Sequence, residues 1–362
     1  MQYRTRRILY YILLALFLMA APILLFYSLG YTVDISGRVV QKTGGVFIKS
    51  KTARLAVSID SIPIKETGFI TGSALITDVP TGMHILRLEH EGYRTWTKSI
   101  DVAPLTVIEL RNIILISNEI AYATTSGESL PARALVSVPT ASTTLDRAGN
   151  LFIQKTSTTT TQLENIHSFS NTGAVIYFIN NYGFLSSFNV ETQKIDTLGH
   201  PGFYLAASPA QFFVSPRGNI AVIDSGGGLF VTTGKNTIAS IESGVRNAHF
   251  DSRGDKLLIQ KEKELLVLWI TENKIQPFQK EFTMESVIQT PTTIIRSAWF
   301  YGDNAHVFLH TDEGVFMTEI DGRGGRNTYE FFTSPMDDFF TSPDTPNRIY
   351  AKRGANWYSI EL

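Results

Sequence analysis

The chain reads as an all-β protein carried on a single N-terminal apolar helix. Three observations predict this class. Residues Ile8–Leu29 form an uncharged run, ILYYILLALFLMAAPILLFYSL. The rest of the 362-residue chain is rich in Val, Ile, Thr, Phe and Tyr and punctuated by Gly, Asn, Asp and Pro, which is strand-and-turn composition. No other long stretch shows helical periodicity.

The apolar run of 22 residues reaches about 33 Å as a helix, enough for a hydrocarbon core of about 30 Å. Within lipid every backbone polar group must bond inside the segment, so a single span has to be helical, and a proline such as Pro22 is tolerated there. Tyr10, Tyr11, Tyr27 and Tyr31 fall near the two ends, where aromatic rings favour the interface. Arg4, Arg6 and Arg7 crowd the short N-terminal tail, against the sparser Arg38, Lys42 and Lys49 on the other flank. The expectation is a span with its N-terminus in the cytoplasm and the bulk outside. The alternative is a cleaved signal peptide, since Ala20-Ala21 offers small residues, but the apolar core is longer than the usual 7–15 or so. The expected divisions are a tail 1–7, the helix 8–29, a linker 30–43, a small β domain 44–117 and a large one 118–362.

Net charge is −1, which gives no basis for a nucleic-acid partner or a polybasic membrane surface. The chain has no cysteine, so disulfides, thiol catalysis, cysteine metal sites and lipidation on cysteine are all excluded.

From Gly44 to Ile116, short alternating segments recur at 8–12-residue spacing and predict a small β-sandwich. Strands are expected at 45–48, 55–60, 74–79, 85–91, 94–102 and 106–116. Gly82 and Gly92 supply the positive φ of tight turns, and Tyr93 and Trp96 bring apolar area to a small core. A competing reading of these two rings is a sugar-binding patch. The order Ile59-Asp60, Pro80-Thr81-Gly82-Met83-His84, Leu86-Arg87-Leu88-Glu89, Glu91-Gly92-Tyr93 and Trp96 resembles the PEGA domain over about 70 residues. Ser61 stands where that family usually has glycine, and Thr52-Ala53-Arg54-Leu55 where its naming tetrapeptide falls. The resemblance implies a small β module at a cell surface, with no catalytic residues to carry over.

From Asn118 onward an apolar lead-in, a Gly/Asn/Asp turn and two strands recur. The turns are Asn171-Thr172-Gly173, Ser215-Pro216-Arg217-Gly218-Asn219, Asp251-Ser252-Arg253-Gly254-Asp255, Gly302-Asp303-Asn304 and Ser342-Pro343-Asp344. Steps of about 36–50 residues suit four-stranded propeller blades. This stretch is similar to TolB-like and WD40-like β-propellers. Five copies are readable and Leu145–Gln154 suggests a sixth, giving five or six degenerate blades; stacked sandwiches are the alternative. The stretch Asn118–Asp146, with Gly127, Pro131 and Pro139, is expected to be weakly packed, and the last strand, Trp357–Leu362, to close the ring.

Chemistry is sparse. His306 and His310 share a strand face at a spacing that suits a metal pair, but no third ligand accompanies them. Asp337 and Asp338 are adjacent and so point apart on a strand. Ser225 lacks the preceding glycine of a nucleophile elbow. Arg253-Gly254-Asp255 spells an adhesion tripeptide but falls in a blade turn, Asp321–Asn327 reads as a blade-ending turn, and Thr158–Thr161 as an exposed edge. The sequence assigns no catalytic residue, cofactor or metal site, and leaves the binding residues open. The functional expectation is an envelope-bound binding or scaffolding protein. Its partners would be the lipid bilayer through residues 8–29 and a protein or cell-wall glycan. The alternatives are a glycan hydrolase or lyase using carboxylates at the propeller's central face, and a cytoplasm-facing sensor.

Overall fold

The computed structural model describes residues 3–28, 31–34, 39–125, 130–131, 141–156, 159–234, 237–342 and 344–362. Helix α1 spans Tyr3–Ser28 with Pro22 inside. Its segment Arg6–Phe26 has a mean hydropathy of 2.6 and none of it is buried in the protein. The chain forms two compact units: Met1–Glu119 with Ile275–Pro277 and Asp321–Asn327, and the remainder.

In the first unit, strands β1 (Tyr31–Asp34), β2 (Val39–Ser50), β3 (Ala56–Ile59), β4 (Ile62–Glu66), β5 (Ser73–Pro80), β6 (Gly82–Glu89), β7 (Trp96–Val102) and β8 (Val107–Ile113) make two sheets. One runs β1-β2-β5 with β8 parallel to β2, and the other runs β4-β3-β6-β7. The stretch 30–43, expected as linker, thus carries β1 and the start of β2, which pair through Tyr31↔Lys42. Strand β4 was not anticipated; its five residues are all exposed, so it lacks the alternation that marks the other strands. Val46, Ile48, Val57, Ile76, Leu86, Leu88 and Ile100 fill the core. Trp96 joins them at 1% exposure, which decides for packing over a sugar platform at that ring.

The loop Asp321–Asn327, expected to be only a blade-ending turn, is part of this unit. Lys98 Nζ donates to the Asp321 carbonyl (3.0 Å), and Arg323 Nη2 to the Glu109 carbonyl (2.8 Å). The Ser99 amide bonds to the Gly324 carbonyl; Gly324 has φ +62°, and a Cβ there would stand 1.6 Å from the Ser99 oxygen, so only glycine fits.

The second unit begins with β9 (Ala123–Thr125). Blade 1 is β10 (Ser142–Leu145), β11 (Leu151–Thr156) and β12 (Thr159–Leu163). Blade 2 is β13 (Ile166–Asn171), β14 (Val175–Asn180), β15 (Leu185–Asn189) and β16 (Ile195–Gly199). Blade 3 is β17 (Gln211–Val214), β18 (Ile220–Ile223), β19 (Leu229–Gly234) and β20 (Thr237–Glu242). Blade 4 is β21 (Asn247–Phe250), β22 (Lys256–Gln260), β23 (Glu264–Trp269) and β24 (Met284–Gln289). Blade 5 is β25 (Ile295–Phe300), β26 (His306–Thr311), β27 (Val315–Glu319) and β28 (Thr328–Phe332). Blade 6 is β29 (Asp338–Ser342), β30 (Thr345–Arg353) and β31 (Asn356–Glu361).

Each blade is an antiparallel sheet in chain order, and the first strands of blades 2 to 6 pack successively on one another. That is the inner ring of a β-propeller. Apolar clusters fill the gaps between blades, as where Leu151, Ile153, Ile176 and Phe178 join blades 1 and 2. Strand β31 pairs with β9 (Trp357↔Thr125, Ser359↔Ala123), so blade 6 is completed by the segment that precedes blade 1. Of the stretch Asn118–Asp146 expected to be weakly packed, residues 126–129 and 132–140 lie outside the described residues, as do Thr158 and Pro343.

The repeating turns follow the first strand of their blades. Asp146 Oδ1 accepts the amides of Ala148 and Asn150, Ser215 Oγ those of Arg217 and Asn219, and Asp303 Oδ1 those of Ala305 and His306. A short polar side chain here replaces backbone partners that the reversal cannot offer.

Candidate binding groove

Two turns of the first unit are tied together. The β3–β4 reversal has two residues, Asp60 and Ser61, both at positive φ (50° and 68°), the geometry that suits a twisted two-residue hairpin. Ser61 therefore tolerates a conformation that glycine would take at lower cost. Asp60 Oδ1 accepts the Ile85 amide (2.9 Å), and Asp60 Oδ2 lies 2.6 Å from His84 Nδ1. His84 Nε2 reaches the Pro80 carbonyl at 2.8 Å. The His84 hydrogen bond, then the Ile85 amide, hold the Asp60 carboxyl below its usual value. The aspartate of one turn and the histidine of the next thus form one latch. Residues 43–113 match the family model described as PEGA domain.

No curated protein matches the chain. Among solved structures it is similar to the β-propeller domain of Cps50 (Swd1) from Myceliophteria thermophila, at 9% identity and TM-score 0.38, over 54% of this chain and 64% of that one. It is also similar to the extracellular domain of a one component system from B. thetaiotaomicron, at 10% identity and TM-score 0.36, over 89% of this chain and 40% of that one. YCF48 bound to D1 peptide gives 11% identity and TM-score 0.37, over 88% and 96%. The chain thus spans under two thirds of the length of the first two. At these values no activity or partner passes from them to this chain, and the propeller assignment rests on the strand pairing.

At the end of the PEGA domain away from the latch, Arg54, Glu66, Glu89, His90, Glu91, Tyr93 and Asn118 line an open groove of about 670 Å³. Its floor is fixed by backbone: Tyr93 bridges Ser117, the Arg94 amide bonds to Ile116 and the Asn118 amide to Gly92. Gly92 takes φ +81°, as expected of that turn. The His90 and Tyr93 rings meet edge to face at 5.2 Å. Three carboxylates, one guanidinium and an aromatic wall suit a polar ligand with cationic or hydroxyl groups. Tyr93, read from sequence as core together with Trp96, is half-buried and lines this groove. The carboxylates went unnoticed because they come from β4, β6 and the following turn, which only pairing brings together. Their one sequence-level trace is the Glu89-His90-Glu91 triplet beside an aromatic.

A second aromatic cluster lies on the propeller's inner strands. The His249 ring stacks on Trp299 at 4.3 Å and meets Phe213 edge-on at 5.9 Å, linking blades 3, 4 and 5. Burial pushes His249 down to about 4, so it is neutral at physiological pH, and Asn247 Nδ2 sits 3.1 Å from its Nε2. The Trp299 indole N–H is buried with no hydrogen-bond partner among the described residues.

The other sequence candidates are placed singly. His306 Nδ1 binds Asp303 Oδ2 (2.7 Å), and His310 Nε2 reaches across to the Met336 carbonyl (2.8 Å). Among the described residues no cluster of three metal-ligating side chains forms. Ser225 donates to the Ser208 carbonyl. Asp255 of the Arg-Gly-Asp turn accepts from Thr271 (2.9 Å) and pairs with Arg217 (2.8 Å), so that tripeptide is built into the fold. Asp337 accepts the Gly354 amide and Asp338 that of Phe339.

Proposed function

We propose that this is a membrane-anchored binding or scaffolding protein that presents its PEGA domain and propeller on the extracytoplasmic side. The observation that carries the anchor is α1, an apolar segment of which no residue between Arg6 and Phe26 is buried in the protein. Arg4, Arg6 and Arg7 favour a cytoplasmic N-terminus. The groove of Arg54, Glu89, Glu91 and Tyr93 supports recognition of a polar partner, either a protein segment or a cell-wall glycan. The inner strands of the six blades carry one carboxylate, Asp338, so no acid pair for glycan cleavage arises from those strands.

The test has two arms. A reporter fused after Leu362 that is active only when exported should be active; activity only of a cytoplasmic reporter would overturn the topology. Solubilised full-length protein should retain a cell-wall glycan or peptide column that Tyr93→Ala and Glu91→Lys variants release. Equal retention of all three would move binding away from the groove.

A further inference from the structure

We infer that the latch end of the PEGA domain is a membrane-contacting surface that sits at the headgroup layer of the bilayer. This rests on the reading of α1 as a span. Only three Cα steps, at most about 11 Å, separate Ser28 from Tyr31. Tyr31 pairs with Lys42, strands lie about 5 Å apart, and the Lys42 ammonium stands 5.6 Å over the Tyr31 ring. An aromatic ring and a lysine at the end of a span are the side chains that settle at the interface. The domain begins in the next residue. The Lys42 carbonyl accepts the Thr81 amide, and the Thr43 carbonyl accepts the Leu105 amide at 3.0 Å. The reversal at Thr81 with the first residues of β6, and the turn Pro104–Thr106, are thereby fixed beside the point where the chain leaves the helix. The polar layer of a bilayer is about 5–7 Å thick on each side, so these turns are within its reach.

What the turns carry fits that solvent. Met83 is 66% exposed and Leu105 65%, and Ile62 and Val107 stand open at the same end. Leu105 has φ +59°, a conformation that glycine or asparagine takes more readily, and it directs a large apolar side chain out of the fold. Large apolar side chains exposed together at this end are costly in water and favourable in the interface. Asp101, opposite Met83 in the ladder, is exposed too, which sets the contact at headgroup rather than acyl depth.

The absence of cysteine makes the test direct, because any single introduced cysteine is labelled alone. Full-length Met83→Cys, Leu105→Cys, Leu16→Cys and Glu91→Cys variants would be spin-labelled in nanodiscs of phosphatidylethanolamine and phosphatidylglycerol. The readout is the collision rate with oxygen, which favours lipid, against that with a water-soluble nickel chelate. Position 16 should read as deep, position 91 as aqueous, and positions 83 and 105 several-fold richer in oxygen collisions than 91. If 16 is deep while 83 and 105 match 91, the contact is wrong and the span stands. If 16 is also aqueous, the span reading fails and this inference with it. Short label-to-label distances at 83 or 105 with aqueous collision rates would assign the patch to a second copy and overturn the lipid assignment.

Discussion

The PEGA domain and the propeller solve the same problem differently. The small domain encloses one core between two sheets, and its outer turns are fixed by side chains far apart in sequence, Asp60 with His84 across 24 positions. The propeller has no single core. Apolar clusters lie between consecutive blades, and polar links repeat around the ring: Arg217 to Asp255, Asn304 to Ser252, Tyr301 to Asn347. Each blade needs its neighbour, so the ring depends on its closure, whereas the sandwich depends on one shared core of buried side chains from both sheets.

The largest test of that difference is at the closure. Deleting Trp357–Leu362 removes most of β31 and with it the partner of β9. Limited proteolysis should then lose the protected region from about residue 120 to the end, while the PEGA domain keeps its own protection. A truncated chain that stays resistant would mean that blade packing suffices without closure. Next is Trp96→Ala, which removes a side chain only 1% exposed and should cost about 3–5 kcal/mol in the PEGA transition alone. Calorimetry would resolve it, and an equal loss in the propeller transition would contradict the division into two units.

A smaller effect distinguishes the propeller by pH. His249 has a folded value of about 4 against an unfolded 6.5, so the unfolded chain binds the extra proton between those values. Propeller stability should be undiminished above about pH 6.5 and fall by on the order of 3 kcal/mol as pH drops towards 4. Denaturant midpoints for wild type and His249→Phe should diverge in that window and run parallel above it; parallel curves throughout would place the imidazole in water. The smallest effect is at the latch. His84→Ala should lower the PEGA midpoint slightly near neutral pH. Because the Asp60 carboxyl is held below its ordinary value near 3.8, its share is present above that value and lost as pH falls through the folded one. The two midpoints should therefore converge in acid; a constant gap would assign the loss to the His84–Pro80 bond.

The sequence by itself determined the local terms. The apolar run of α1, the strand periodicity and the turn residues are consecutive in the chain, and each follows from the chemistry of a few neighbours. The residues that mark the PEGA domain were readable, as were the turns that mark the blades. The tertiary structure alone decided whatever depends on distant pairing. The exposed strand β4 has no alternation to announce it, and the linker became a hairpin because β2 continues through it. Asp321–Asn327 left the blade pattern to join the PEGA unit because Lys98, Ser99 and Glu109 offered it partners. The groove exists because β4, β6 and the turn after β6 converge, and three ordinary glutamates, two in separate strands and one in a turn, carry no mark of that meeting until the sheet forms. Packing and pairing energies depend on which surfaces are adjacent, and adjacency across a sheet is a property of the fold rather than of any window of the chain.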